Sequence, residues 1–219
     1  MPSCPSPVHV YVAGVGSVGA ALLRQIDARD ENGRTLCVVG ACTSRRAAWV
    51  APGRGPEALL AGMDEAAPPD WPAIVDRLTQ ETPRPLVFVD ATGSPDVAAR
   101  YEPLLRAGVH VVTPSKLANT RSQAAFDRLR AAAAENAVLQ YMGHLSPEGI
   151  EVGVEPVPGD VPFGQLGAQE NLFEITTDRY ADVPLAVRGP GAGPSVTAAG
   201  VLADVLTVAR EARPSSSPT

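Results

Sequence analysis

Lysine is almost absent from this chain: of eighteen basic residues, Lys116 is the only one that is not arginine. Positive charge is also in short supply, because twenty-four acidic residues leave a net charge of −6. With no basic stripe to meet a phosphate backbone, nucleic acid is not an expected partner. Cysteine is limited to Cys4, Cys37 and Cys42, an odd number in no CxxC or Cys/His ligand spacing. That argues against a disulfide framework and a metal site and for a reducing compartment. No apolar run approaches the roughly 18 residues of a membrane span. Met1–Pro7 lacks the basic and apolar regions of a leader, so a cytoplasmic protein without a membrane partner is expected. A length of 219 residues suffices for one main core and a small appendage.

The single lysine carries information of its own. Arginine is forked and permanently charged, whereas lysine is a compact ammonium whose pKa moves on burial. A bias that exchanged lysine everywhere else but stopped at residue 116 marks a position where the exchange is not neutral. The alternative is that one lysine simply remained.

The run VHVYVA at 8–13 ends in Gly14-Val15-Gly16-Ser17-Val18-Gly19, after which Val18, Ala21, Leu22, Gln25 and Ile26 recur at helical spacing. Strand, glycine turn and helix from Ser17 are followed by a second strand over Thr35–Ala41, which completes a βαβ unit. Residues 50–72, rich in Pro and Gly, read as loop with a short helix around Glu57–Ala61, Trp49 and Trp71 being local anchors. LVFVD at 86–90 and VHVVT at 109–113 are further strands. Between them, Ser94 as N-cap, Pro95 at the first helical position and Gly108 just past the end frame a helix kinked at Pro103. A helix over Asn119–Glu135 closes an α/β, doubly wound parallel sheet of the Rossmann type at 8–136. Short runs between 137 and 188 (AVLQYMG, GIEVGVEPV, LFEITT, PLAVRG) predict a small mixed or antiparallel sheet. A turn and helix at 189–210 then pack back on the first domain, and residues 1–7 and 211–219 are expected to be disordered ends.

In this context GxGxxG has a mechanism. Gly14 makes the tight turn, Gly16 admits a pyrophosphate close to the backbone, and Gly19 packs the helix on the strand, with Ser17 and Val18 supplying N–H donors at the helix start. A site for NAD places an acidic residue after the second strand. This chain has Ala41-Cys42-Thr43-Ser44-Arg45-Arg46 there, and its hydroxyls and guanidinium groups suit a 2′-phosphate, which favours NADP over NAD. Arg45 and Arg46 can equally be the exposed start of the next segment.

Val109-His110-Val111-Val112-Thr113-Pro114-Ser115-Lys116-Leu117-Ala118-Asn119 resembles the HVVTPNKKAN strand end of homoserine dehydrogenase, particularly the form fused to aspartokinase, with departures at Ser115 and Leu117. Asp90-Ala91-Thr92-Gly93-Ser94 is similar to that family's Asp-Cys-Thr-Ser turn. The stretch from Gly189 to Val201, containing Gly191-Ala192-Gly193 and Thr197, resembles its GxGAGxxVTAAGV segment, which returns to the cofactor. The resemblance implies that Ala91, Thr92, Gly93, Ser115, Gly191, Ala192, Gly193 and Thr197 join the cofactor site. It also implies that Lys116 lies beside the nicotinamide, where it polarises or protonates a substrate oxygen or bonds the ribose.

The family's long central block, with its ammonium-binding carboxylates and second catalytic lysine, is missing, and Asn136-Ala137-Val138 runs straight across the gap. The resemblance thus implies an NAD(P)-dependent oxidoreductase acting on a small carbonyl, imine or amino-acid-derived substrate other than homoserine, or a non-catalytic NADP-binding or partner-regulating protein. A homodimer built through 138–180 is also implied. His9 and His110 read as packing residues, His144 near Glu148 as a residue that could face the cleft, and Glu170-Asn171 as structural.

Overall fold

The computed structural model describes residues 7–29, 35–50, 55–117, 122–136, 139–141 and 157–211. The tails at 1–6 and 212–219 and the His144–Glu148 candidate pair lie outside them. Six strands form the main sheet: β1 (Val8–Ala13), β2 (Leu36–Cys42), β3 (Ala47–Trp49), β4 (Leu86–Asp90), β5 (His110–Thr113) and β6 (Leu139–Tyr141). Their order is β3-β2-β1-β4-β5-β6, parallel throughout except for β3, which runs antiparallel to β2.

Period-two alternation divides the strand side chains between two cores. Val8, Val10 and Val12 of β1 and Val87 and Val89 of β4 meet α1 (Ser17–Arg29), α2 (Pro56–Ala61) and the C-terminal helix α7 (Pro194–Glu211) on one face. Tyr11, Ala13, Leu86 and Phe88 face the other side, against α3 (Trp71–Asp76), α4 (Pro95–Ala98), α5 (Tyr101–Arg106) and α6 (Gln123–Asn136). Helices on both faces of a mostly parallel sheet make the doubly wound architecture. The expected helix over 95–107 divides into α4 and α5, with Pro95 at the first helical turn and Gly108 past the end at φ +73°. Val109 N–H returns to Leu104 O and Gly108 N–H to Leu105 O, the paired bonds of a glycine-terminated helix. Trp49 lies against Tyr11 with Arg77 stacked on it at 4.0 Å, and Arg100 covers Trp71, so both tryptophans are local anchors.

The structure corrects the expected small sheet. Leu139–Tyr141, assigned from sequence to that sheet, pairs in parallel with β5 and extends the main one. Most of the GIEVGVEPV run lies outside the described residues. What forms the small sheet is an antiparallel pair, β7 (Glu170–Ile175) and β8 (Leu185–Pro190). The edge strand β3 just before the stretch read mainly as loop, and helix α3 that starts at its end, were not expected, because three-residue strands and six-residue helices leave too little periodicity to detect.

Candidate dinucleotide site

The parallel strands bring four turns to one edge of the sheet. The strand order runs outward to β2 and β3 on one side of β1 and to β4, β5 and β6 on the other, so the turns after the parallel strands β1 and β4 flank the crevice where open α/β sheets bind ligands. They are in contact: a Cβ on Gly14 would lie 2.7 Å from Thr92 Cγ2 and 2.8 Å from Ala91 C. Gly14 also sits at φ +97°, so the fold itself demands glycine there. Gly14 N–H and Val15 N–H both donate to Cys42 O, at 2.8 and 3.0 Å, which ties the first turn to the end of β2.

The three glycines of the motif have different causes. Gly14 is required by its φ and by Thr92, and a Cβ on Gly19 would collide with the carbonyl oxygen of Gly14. At Gly16 a Cβ would meet nothing within 4 Å, and Gly16 and Ser17 are exposed. The protein's own packing therefore does not explain Gly16. It opens the start of α1, which carries no acidic residue in its first turn, toward the crevice. Gly93, exposed on the neighbouring turn, likewise faces open space.

Buried polar groups hold the remaining turns. Asp90, wholly buried at the end of β4, accepts from Tyr101 Oη at 2.6 Å and from Thr92 N–H at 2.7 Å. Burial pushes its carboxyl above the ordinary range, opposed by the bonds from Thr92 and Tyr101. Thr113 donates from Oγ1 to Asp90 O at 2.8 Å and accepts Ser115 N–H at 2.9 Å, so one buried hydroxyl links β4 to the turn carrying Lys116. Lys116 is exposed, three residues beyond the carboxyl end of β5. Neither Tyr101 nor Thr113 was singled out from sequence. Asp-x-Thr and Thr-x-Ser at strand ends were the available signals, because a buried strand end closes its turn with side-chain acceptors.

After β2, Ser44, Arg45 and Arg46 are exposed. They line, with Thr43, Met63, Asp64 and Pro68, an open cavity of about 740 Å³, within the range of roughly 300–1,000 Å³ for small-molecule sites. The C-terminal stretch reaches the nucleotide domain through α7, where Gln25 Nε2 donates to Ser195 O at 3.0 Å. Gly191 N–H and Ala192 N–H donate to Gln169 O at 2.9 and 3.3 Å, and a Cβ on Gly191 would strike the Asn171 amide. Those two N–H groups are engaged within the protein, and Gln169 and Asn171 hold the turn of Gly191, Ala192 and Gly193. Thr197 lies one turn into α7 and gives its N–H to Gly193 O. Glu170 pairs with Arg188 at 2.6 Å across the β7–β8 hairpin, in keeping with its expected structural role.

A glycine turn at the switch point of a doubly wound sheet defines a Rossmann-type dinucleotide fold. The family comparisons agree: the profile described as homoserine dehydrogenase, NAD binding domain, matches residues 14–142, and that of homoserine dehydrogenase itself matches 96–206. The chain belongs to the homoserine dehydrogenase family. Over 78 residues it is 46% identical to the bifunctional aspartokinase/homoserine dehydrogenase 1, chloroplastic, of Zea mays, covering 34% of this chain and 8% of that protein. Over 81 residues it is 41% identical to the homoserine dehydrogenase of Saccharomyces cerevisiae, covering 36% of this chain and 22% of that one. The matches thus span less than a quarter of these curated relatives. Among solved structures, the homoserine dehydrogenase of Thermoplasma acidophilum superposes with TM-score 0.64 at 15% identity, covering 93% of this chain and 99% of that one. A hyperthermophilic archaeal homoserine dehydrogenase in complex with NADPH superposes with TM-score 0.62 at 15% identity, covering 94% and 98%. At these identities the superpositions establish the fold.

Proposed function

We propose that this chain is an NAD(P)-dependent oxidoreductase, favouring NADP over NAD, that transfers hydride between nicotinamide and a small carbonyl, imine or amino-acid-derived substrate other than homoserine. The observation that carries the reading is Gly16, the one glycine of the motif that the protein's own packing does not require, opening onto the crevice between the β1 and β4 turns. A pyrophosphate is the group that needs bare backbone there, with Gly14, Ser17, Val18 and Gly19 shaping the turn and the helix start. Ala91, Thr92, Gly93 and Ser115 form the neighbouring walls, and Ser44, Arg45 and Arg46 take the 2′-phosphate. Thr197 of α7 and Gly191, Ala192 and Gly193 of the turn before it complete the proposed site. The family's solved complex with NADPH supports the cofactor.

Bound nicotinamide supplies a two-electron donor or acceptor. Lys116 Nζ gives its proton or a hydrogen bond to the substrate oxygen, where negative charge develops during reduction. Two residues separate α6 from β6. The family resemblance puts at this point the block whose carboxylates hold an amino-acid ammonium, and its absence supports a substrate other than homoserine. Steady NADPH formation from homoserine and NADP at enzyme-like rates overturns that part.

The exposure of Lys116 favours a second reading, a non-catalytic NADP-binding or partner-regulating protein. Lys116→Arg separates the two. Under the oxidoreductase reading turnover falls by roughly 10²–10⁴ while nucleotide affinity is kept. Unchanged behaviour supports binding alone, and a folded chain with no affinity for NADPH or NADH overturns both. A homodimer belongs to the same proposal. Phe173, Ile175, Leu185 and Val187 share one face of the β7–β8 hairpin and are 63%, 45%, 42% and 53% exposed, an apolar strip suited to a second copy. Sedimentation as a monomer at micromolar concentration overturns it.

A further inference from the structure

The hydroxyls after β2 have different fates. Thr43 Oγ1 accepts Arg45 N–H at 3.1 Å and Arg46 N–H at 2.9 Å and lies 3.4 Å from Arg46 O as a donor. Thr43 N–H donates to Arg46 O at 2.7 Å, which closes the turn. A hydroxyl has one donor and two acceptor lone pairs, so these bonds use the whole capacity of the Thr43 side chain. It has nothing left for a ligand. The N–H groups of Arg45 and Arg46 are likewise bonded within the turn, while Ser44, Arg45 and Arg46 are exposed and line the cavity. The opposite wall is fastened to the same turn, since Ala47 N–H donates to Ala67 O at 2.7 Å and Met63 is buried beneath. Asp64 on that wall brings a carboxylate to the cavity. Arginines that drifted toward it would pair there instead of with an incoming anion, so the shape of the turn matters as much as its charge.

We propose that Thr43 is the positioning residue that sets discrimination between the phosphorylated and unphosphorylated adenosine ribose, by clamping the Ser44–Arg46 turn so that both guanidinium groups present to the cavity without ordering on binding. This rests on the reading above that the chain binds a pyridine dinucleotide. Pre-organisation of a bidentate donor pair strengthens binding of the dianionic 2′-phosphate and leaves an unphosphorylated ribose nearly unaffected.

The test is titration of the full chain with NADPH and with NADH, followed by nicotinamide fluorescence, for wild type, Thr43→Val and Thr43→Ser. The expected result is a fall of about 10-fold in the NADPH/NADH affinity ratio for Thr43→Val, with NADH affinity within about twofold of wild type. Thr43→Ser, which keeps the oxygen, restores the ratio. An unchanged ratio in Thr43→Val, or a ratio lost equally in Thr43→Ser, overturns the proposal. Should the valine variant bind neither nucleotide, Thr43→Ala takes its place with the same two outcomes. A wild-type chain that binds neither nucleotide removes the functional reading itself, whereas a wild type that prefers NADPH beside an indifferent Thr43 removes this inference alone.

Discussion

The two sheets of this protein are built from similar residues and treated in opposite ways. Val, Leu and Phe in β1 and β4 are covered on both faces, every residue of β4 being buried. Phe173, Ile175, Leu185 and Val187 in β7 and β8 are all exposed. β-Branched and aromatic composition makes strands in both, but burial comes from helices, and among the described residues these cover one sheet only. The lesson is that strand propensity and core membership are separate properties, and the second depends on what the rest of the molecule can lay over the strand.

The comparison can be broken most directly at two phenylalanines. Phe88, wholly buried and stacked on Tyr11 at 6.0 Å, should lose about 3–5 kcal/mol on replacement by alanine, read from denaturant unfolding. A smaller effect is expected where the main sheet meets the site. Tyr101→Phe removes the hydroxyl that donates to buried Asp90, at a cost of about 1–3 kcal/mol, measured in the same way.

Smaller again is a pH effect confined to the main sheet. His9 and His110 have pKa values below the ordinary histidine range, in both cases first by burial and then by the charge of Arg84, with the backbone bond at Pro85 opposing for His9 and Glu211 opposing for His110. The unfolded chain therefore takes up these protons at higher pH than the folded one. Their contribution to stability is whole above about pH 6.5 and is lost as pH falls from there toward the lowered folded values. Tm should decline from about pH 7 to pH 5.5, and less so in a His9→Gln, His110→Gln double variant. The smallest effect falls on the hairpin: Phe173→Ser should change monomer stability by less than about 0.5 kcal/mol and, if a second copy covers that face, shift sedimentation toward monomer.

Much of the fold was legible because its signals are local. Gly14 through Gly19, the β-branched runs of β1 and β4, and Pro95 with Gly108 each encode their own geometry in a few neighbouring residues. The boundaries of the small sheet were not legible, since Leu139–Tyr141 looks like any short strand and only pairing with β5 decides its sheet. In the site, Ser44, Arg45 and Arg46 were visible as a donor cluster. Thr43 as a clamp was not, because a threonine beside arginines reads as another ligand until its hydroxyl is seen to be fully bonded.

Sequence alone determined the strand–glycine–helix unit, the family of the chain and the position of its solitary lysine, because each is written in contiguous residues. Tertiary structure decided which glycine of the motif the protein's own packing does not require, which hydroxyl is spent on the protein itself, and which apolar strands are covered. Those outcomes depend on atoms brought together from distant parts of the chain, and no local pattern records them.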